Sequence, residues 1–165
     1  MEIGVENKLE YYIICFIYSQ KYYCIWTTDE KDYVLSSKNK LLIWRELSDV
    51  REYAEKNDII FKDDTVTNYD LKSIKKWCDS KNTNVDCTTV LNVWNIFSDI
   101  SYSVNMMFIG NQTQLDGIYN KLFYGTNCPA INTVNQDYKP EFSSDEIQVI
   151  KSVMLDGLRI FLQVR

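Results

Sequence analysis

The N-terminal part of the chain alternates short apolar runs with polar breaks. From Tyr11 to Trp44 these runs are rich in β-branched and aromatic residues, which is typical of consecutive antiparallel strands. Residues 11–18 are apolar on both alternating faces, so the first strand should be central in its sheet and covered on each side. Asn39 can adopt the positive φ that a hairpin turn at Lys38-Asn39 requires. We predict strands near residues 10–18, 21–28, 32–37 and 40–45.

After these strands the apolar residues recur at helical spacing. Ser48 can cap a short helix that ends at Asn57. The final helix begins at Ser143, because Ser143 and Glu146 have the spacing of a capping box. Three further helices are predicted between them, from about Asp70 to Ser80, from Asp86 to about Ser103 and from about Gln114 to Tyr124. Strands followed by helices predict an α+β domain, with an N-terminal antiparallel sheet of about four strands packed by four to five mostly C-terminal helices.

The helices also indicate which residues form the core. The first directs Leu47, Val50 and Ala54 to one side, and the third directs Val90, Trp94, Phe97 and Ile100 inward. Gly125 follows an apolar stripe, and we expect it to end the fourth helix in the left-handed conformation. Residues 1–165 contain no linker or repeat. The 165 residues, 45% of them hydrophobic, therefore predict one domain with a core of ordinary size.

Histidine is absent from the chain, so the usual side chain for proton transfer near neutral pH is missing. The five cysteines have no imidazole to activate them, and neither a P-loop nor a dinucleotide-binding glycine pattern occurs. Cys78 and Cys128 are the candidate thiol nucleophiles, but buried inert thiols in a reducing compartment are the more usual interpretation. We therefore predict a protein that is not an enzyme, with no catalytic residues, no cofactor and no metal site.

The formal net charge of −5 makes general nucleic-acid binding unfavourable and fits a basic partner better. Two acidic groups are candidates for a negatively charged docking surface: Asp29, Glu30 and Asp32 between two predicted strands, and Asp63 and Asp64 farther along. Solvated loop carboxylates are the simplest alternative, and a glycosidase-like or hard-metal site is another.

Lys72, Lys75 and Lys76 lie beside Trp77, which is a basic and aromatic combination also found at nucleic-acid sites. These four residues do not supply a groove by themselves. Lysine near the C-terminus of a short helix is already favoured by the helix dipole. The cluster is therefore interpreted as a solvated helix face.

The C-terminal half carries a family resemblance. Its motifs are Trp94-Asn95 followed by Asp99, residues 121–125 with Asn127 and Pro129, and Gly157-Leu158 in the last helix. Over roughly residues 90–162 the chain resembles immunity proteins of bacterial polymorphic toxins, in particular those encoded beside contact-dependent growth inhibition toxins. The resemblance implies a cytoplasmic protein that binds one cognate toxin domain, basic and often a nuclease, and blocks it directly, without a nucleic-acid or membrane partner.

Two other functions remain open at this point. A small carboxylate-dependent enzyme would need an acid pair in an apolar pocket, with a raised pKa. An adaptor or protein-interaction domain would need an exposed apolar surface. For the immunity function, Asp29, Glu30, Asp32, Asp63 and Asp64 are the expected partner-binding residues, with an exposed tyrosine or tryptophan nearby.

Overall fold

A computed structural model describes residues 9–165, and the first eight residues lie outside the description. The fold is α+β, as the order of strands and helices predicts. The strands are β1 (Glu10–Ile17), β2 (Lys21–Thr28), β3 (Tyr33–Val34), β4 (Ser36–Ser37), β5 (Lys40–Leu41) and β6 (Phe61–Asp70). The helices are α1 (Leu47–Lys56), α2 (Leu71–Asp79), α3 (Cys87–Ser103), α4 (Asp116–Gly125) and α5 (Ser144–Val164). None of the helices in residues 9–165 combines the length and apolarity needed to cross a membrane.

The main sheet has four strands in the order β3-β2-β1-β6. Strand β1 lies inside the sheet, and its two faces pack in separate hydrophobic clusters. Ile14 and Phe16 join the large cluster formed with α2 to α5, whereas Ile13 packs with Ile25 and with Val50 of α1. The prediction that the first strand is central and covered on both sides is therefore confirmed.

The sheet is mixed, which differs from the expected antiparallel arrangement. Strand β2 is antiparallel to β1 and β3, but β6 pairs with β1 in parallel. No strand is predicted at residues 61–70, because this segment is polar and exposed at most of its positions. As an edge strand, β6 buries little apolar surface and shows no alternating pattern.

The segments predicted as strands 32–37 and 40–45 form short pieces. Strand β3 pairs with β2, while β4 and β5 form a separate two-stranded hairpin. The turn between them is the predicted one, since Lys38 and Asn39 have φ of 52° and 60°. Two positive φ values in a two-residue loop are typical of the type I′ turn, whose twist matches that of the strands. Beyond β5, Trp44 makes an isolated antiparallel bridge to Tyr23.

Of the two caps predicted from the sequence, the one at Ser143 is confirmed. Asp70 and Asp86 accept backbone hydrogen bonds at the starts of α2 and α3, and Ser143 with Glu146 forms the full capping box of α5. The expected cap at Ser48 is wrong, because α1 begins at Leu47 with Glu46 in the capping position and no side-chain hydrogen bond. The predicted core is confirmed, since all four inward residues of α3 are at most 3% exposed.

Gly125 ends α4 as predicted, but for a different reason. It does not have positive φ; Asn127, two residues later, has φ of 53°. A Cβ at position 125 would lie 2.5 Å from Cys87 Sγ and 2.8 Å from Pro140 Cγ. Glycine is therefore required here by close packing against the start of α3 and the segment before α5, and the left-handed residue that follows the helix is asparagine.

The glycines of α4 and α5 give a testable contrast. A Cβ on Gly157 of α5 would lie 2.0 Å from a ring carbon of Phe97, which is 1% exposed and cannot move away freely. We expect Gly157→Ala to lower the free energy of unfolding by about 1–3 kcal/mol or more, although alanine favours helices. Gly117→Ala, whose Cβ meets nothing within 4 Å, should raise stability by about 0.5–1 kcal/mol. Urea denaturation of both variants measures this difference, and effects of the same sign would contradict the packing argument.

Candidate partner-binding surface

The first acidic group lies in the loop between β2 and β3. Asp29 and Glu30 are exposed and Asp32 is half-buried. Within residues 9–165, none of these three carboxylates forms a salt bridge. The charge of Asp29 still acts on its surroundings, since it adds to the effect of burial in raising the pKa of Tyr33. These carboxylates are therefore available to a partner.

The second acidic group lies on a bulge of β6. Tyr11 pairs with Phe61 and Ile13 pairs with Val66, so two steps along β1 correspond to five along β6. The extra residues leave the regular ladder, and they include Asp63 and Asp64. Such bulges also protect an edge strand from pairing with other chains. The side chain of Asp64 is 95% exposed.

Both carboxylates of the bulge have partners within the protein. Asp63 accepts hydrogen bonds from the Thr65 hydroxyl and backbone N–H, which hold the pKa of its carboxyl below the usual value. Asp64 Oδ1 lies 3.4 Å from Arg51 Nη1. The bulge therefore presents one carboxylate that is held by Thr65 and one exposed carboxylate that is paired with Arg51, whereas the carboxylates of the β2–β3 loop form no salt bridge within residues 9–165.

The register of β1 places the two acidic groups at the same end of the sheet. Glu10, the first residue of β1, pairs with Thr28, and Tyr11 pairs with Phe61. Strands β2 and β6 are separated only by β1, so they lie about 10 Å apart. The five residues stand out as two acidic groups in the sequence, but only the pairing of distant segments brings them together. Asp29, Glu30, Asp32, Asp63 and Asp64 are called the acidic surface below.

A row of polar contacts connects the two halves of the acidic surface. Tyr12 Oη donates a 2.7 Å hydrogen bond to Glu10, which pairs with Lys62 of the bulge at 2.7 Å. The Tyr12 ring packs on Trp26, with 5.4 Å between ring centroids. Trp26 Nε1 donates a 2.9 Å hydrogen bond to Asp99 of α3. These contacts therefore link β6, β1, β2 and α3 to one another between the two acidic groups.

Asp99 is the most perturbed carboxyl group near the surface. Burial raises its pKa to about 6, the nearby charge of Asp32 acts in the same direction, and the hydrogen bond from Trp26 and the charge of Lys31 oppose this. In the sequence, Asp99 belongs to the motifs that carry the family resemblance. Its carboxylate binds the indole of another element, and its backbone carbonyl accepts a hydrogen bond from Ser103.

The pKa of Asp99 gives a pH prediction. Its value rises from 3.8 to about 6 on folding, so the folded protein binds more protons than the unfolded chain between these values. The stability that depends on this proton is complete below pH 4 and is lost as the pH rises through 6. Asp99→Asn keeps an acceptor for Trp26 without the charge. We expect this variant to be more stable than the parent above pH 7, by at most about 3 kcal/mol, with no such difference below pH 4.

Thermal or urea denaturation across pH 4–8 measures this effect. Asp137→Asn, which removes an exposed carboxylate far along the sequence, is the matched control and should follow the parent protein at every pH. Parallel stability curves for Asp99→Asn and the parent would show that the Asp99 carboxyl has an ordinary environment.

Two exposed residues beside the acidic surface were not singled out in the sequence. Tyr102 is 51% exposed, and the ammonium of Lys31, in the acidic loop, lies 3.8 Å from its ring centroid. Ile60, immediately before β6, is 84% exposed and lines an open depression with Arg51 and Asp64. Tyr102 lies near the end of the predicted third helix, so its exposure could have been expected from the sequence. Ile60 precedes β6, which the sequence does not predict, so its exposure could not. Both residues have the exposed apolar character of binding anchors.

Burial suppresses the acidity of Cys15, Cys24, Cys78 and Cys87. Burial raises the pKa of Cys78 to about 11, so at neutral pH it is a protonated thiol. Cys15, Cys24 and Cys87 are buried and their pKa values are also raised, mainly by burial. Cys128 is exposed, which differs from the expectation that the thiols are buried. Among the described residues, no three Cys, Asp or Glu side chains are grouped as a metal site would require.

Comparison with known proteins identifies no relative: no family model, no curated protein and no solved structure matches the chain. The resemblance of residues 90–162 to immunity proteins therefore rests on the sequence motifs alone. Any function must be argued from the geometry and charge of the acidic surface.

Proposed function

We propose that the protein is an immunity protein, which binds a cognate toxin domain in the cytoplasm and occludes it directly. The observation that carries the proposal is the convergence of two acidic groups, distant in sequence, at one end of the sheet. Carboxylates at one end of a protein attract a basic partner over distances near the Debye length and speed its association.

A nuclease is the toxin that this surface fits best. A nuclease must attract phosphate groups, so its active-site cleft is electropositive. The free carboxylates of Asp29 and Glu30 can occupy the positions of phosphate groups in such a cleft. Tyr102 and Ile60 add apolar contact area at the edges of the charged region. Aromatic anchors surrounded by polar groups commonly dominate the binding energy of protein interfaces.

Two alternatives each have one favourable observation. A carboxylate-dependent enzyme is favoured by the raised pKa of Asp99 near Asp32, although the Asp99 carboxylate is already engaged by Trp26. An adaptor is favoured by a cavity of about 300 Å³ after α4, which Ile131 and Tyr138 line with exposed apolar groups. Neither observation brings together residues from as many parts of the chain as the acidic surface does.

The test is co-expression with the toxin domain encoded beside this protein. We expect cells that express both proteins to survive, and the purified proteins to form a complex in which the toxin is inactive. The affinity should be nanomolar or better, or about −12 kcal/mol. Survival should fail with Asp29→Asn/Glu30→Gln and persist with Asp137→Asn/Glu141→Gln, a matched pair of exposed acids elsewhere. If cells die although both proteins are soluble and no complex forms, the proposal is wrong.

A further inference from the structure

The end of the sheet opposite the acidic surface carries a basic groove. Strands β1 and β6 end there at Ile17 and Asp70, and α2 begins directly after β6. The groove has a volume of about 610 Å³. Its walls include Lys72, Lys75, Lys76 and Asp79 of α2 and Tyr18 and Ser19 of the β1–β2 turn. The turn thus supplies the second wall that the lysine cluster lacks in the sequence.

Two of the three lysines in this groove form no salt bridge within residues 9–165. Lys75 forms an ion pair with Asp79, which is the carboxylate of the groove wall. Within residues 9–165, no carboxylate lies in salt-bridge range of Lys72 or Lys76. Asp70, at the start of α2, accepts hydrogen bonds from Ser73, and these bonds together with the nearby charge of Lys72 lower the pKa of its carboxyl. With Asp70 and Asp79 counted against the three lysines, one positive charge remains in excess. The groove therefore has a net positive charge in a protein whose overall charge is negative.

The positive region extends beyond the groove through Ser19. Its hydroxyl lies 3.0 Å from Tyr22 Oη, which accepts a 2.6 Å hydrogen bond from Arg165. The Arg45 guanidinium lies 4.7 Å from the centroid of the Tyr22 ring. Burial would raise the pKa of Tyr22, but the hydrogen bonds with Ser19 and Gln20 and the two arginine charges outweigh it, so that the pKa is lowered. The environment at this end of the sheet thus favours negative charge.

We propose that this groove binds a compact polyphosphate anion, of inorganic or nucleotide origin. Lysines three and four residues apart on a helix have their Cβ atoms about 5–6 Å from each other. This spacing suits an anion that carries several linked phosphate groups. Lysine binds phosphate as a point charge without a fixed geometry. A carboxylate ligand would supply only one charge to these ammonium groups. The Tyr18 hydroxyl, which has no hydrogen bond to another described side chain, can donate to a phosphoryl oxygen.

This site is independent of toxin binding, because it lies at the other end of the sheet and uses the opposite charge. Tyr22, which contacts Ser19 beyond the edge of the groove, is 3% exposed and offers no ring face for a base to stack on. Within the described part of the chain, Tyr18 is the one aromatic residue of the groove lining, and it is half-buried. The lysines therefore recognise phosphate groups, and stacking of a nucleotide base would depend on the ring of Tyr18.

Calorimetric titration of the whole protein with tripolyphosphate and, separately, with ATP tests the proposal. We expect saturable binding of both ligands that weakens with added salt. Lys72→Gln/Lys76→Gln should weaken it at least about tenfold, since two of the charges that hold the phosphates are removed. ATP binding more than about tenfold tighter than tripolyphosphate would identify a nucleotide, and similar affinities would identify the phosphate chain as the ligand.

Lys38→Gln/Lys139→Gln removes two exposed lysines outside the groove and is the matched control. It should bind like the parent protein. All four lysines are exposed, so circular dichroism should show unchanged folding in both variants. Binding that is absent up to millimolar ligand, or that the control pair weakens equally, would overturn the proposal.

Discussion

Trp94→Ala should lower the free energy of unfolding by about 3–5 kcal/mol, a large part of the 5–15 kcal/mol that typically stabilises a domain. Trp94 is 1% exposed in the middle of α3. Its ring packs edge-on against Tyr119, with 5.7 Å between centroids, and its Nε1 donates a 3.2 Å hydrogen bond to the Gly110 carbonyl. Truncation would leave a cavity between α3 and α4 and a backbone carbonyl without its partner.

Urea denaturation followed by circular dichroism measures this loss. Tyr124→Ala truncates an aromatic residue of α4 that is 55% exposed and is the matched control. It should cost less than about 1 kcal/mol, because little buried area is lost. A loss below 1 kcal/mol for Trp94→Ala would mean that the core tolerates the cavity and that this ring is not central to stability.

The helical half of the fold could be predicted from the sequence because its signals are local. Asp86 and Ser143 lie next to the segments that they cap, and the inward residues of α3 recur at a period that burial imposes directly. Gly125 shows the limit of such signals. The helix end is visible in the sequence, but its contact with Cys87 depends on packing between elements.

Strand β6 could not be predicted for a physical reason. An edge strand with a bulge buries few side chains, and only Phe61, Val66 and Tyr69 are partly buried among its ten residues. Its parallel pairing with β1 is formed across about 50 residues of intervening chain. The composition of the acidic surface was therefore readable from the sequence, whereas the proximity of its two halves was not. The position of Ile60 next to the surface depends on that same pairing, because Ile60 directly precedes β6.

If the protein binds a basic toxin as proposed, the two halves of the acidic surface should affect different rate constants. Asp29 and Glu30 form no salt bridge within residues 9–165, so they are free to enter a cleft and lose their hydration there. Asp63 is held by Thr65 and the exposed Asp64 is paired with Arg51, so both carboxylates already have a partner and we expect them to act mainly through their negative potential. Buried charge pairs control dissociation, whereas charges at the rim control association.

We therefore expect Asp29→Asn/Glu30→Gln to speed dissociation by about 30-fold or more, since leaving a buried partner charge unpaired costs about 2–5 kcal/mol. Asp63→Asn/Asp64→Asn should slow association about tenfold at low salt and change dissociation little. Asp137→Asn/Glu141→Gln should leave both rate constants near those of the parent. Stopped-flow association and competition-based dissociation at two salt concentrations measure these rates. Equal dissociation rates for the loop variant and the control would show that the loop carboxylates only steer the toxin and do not fill its cleft.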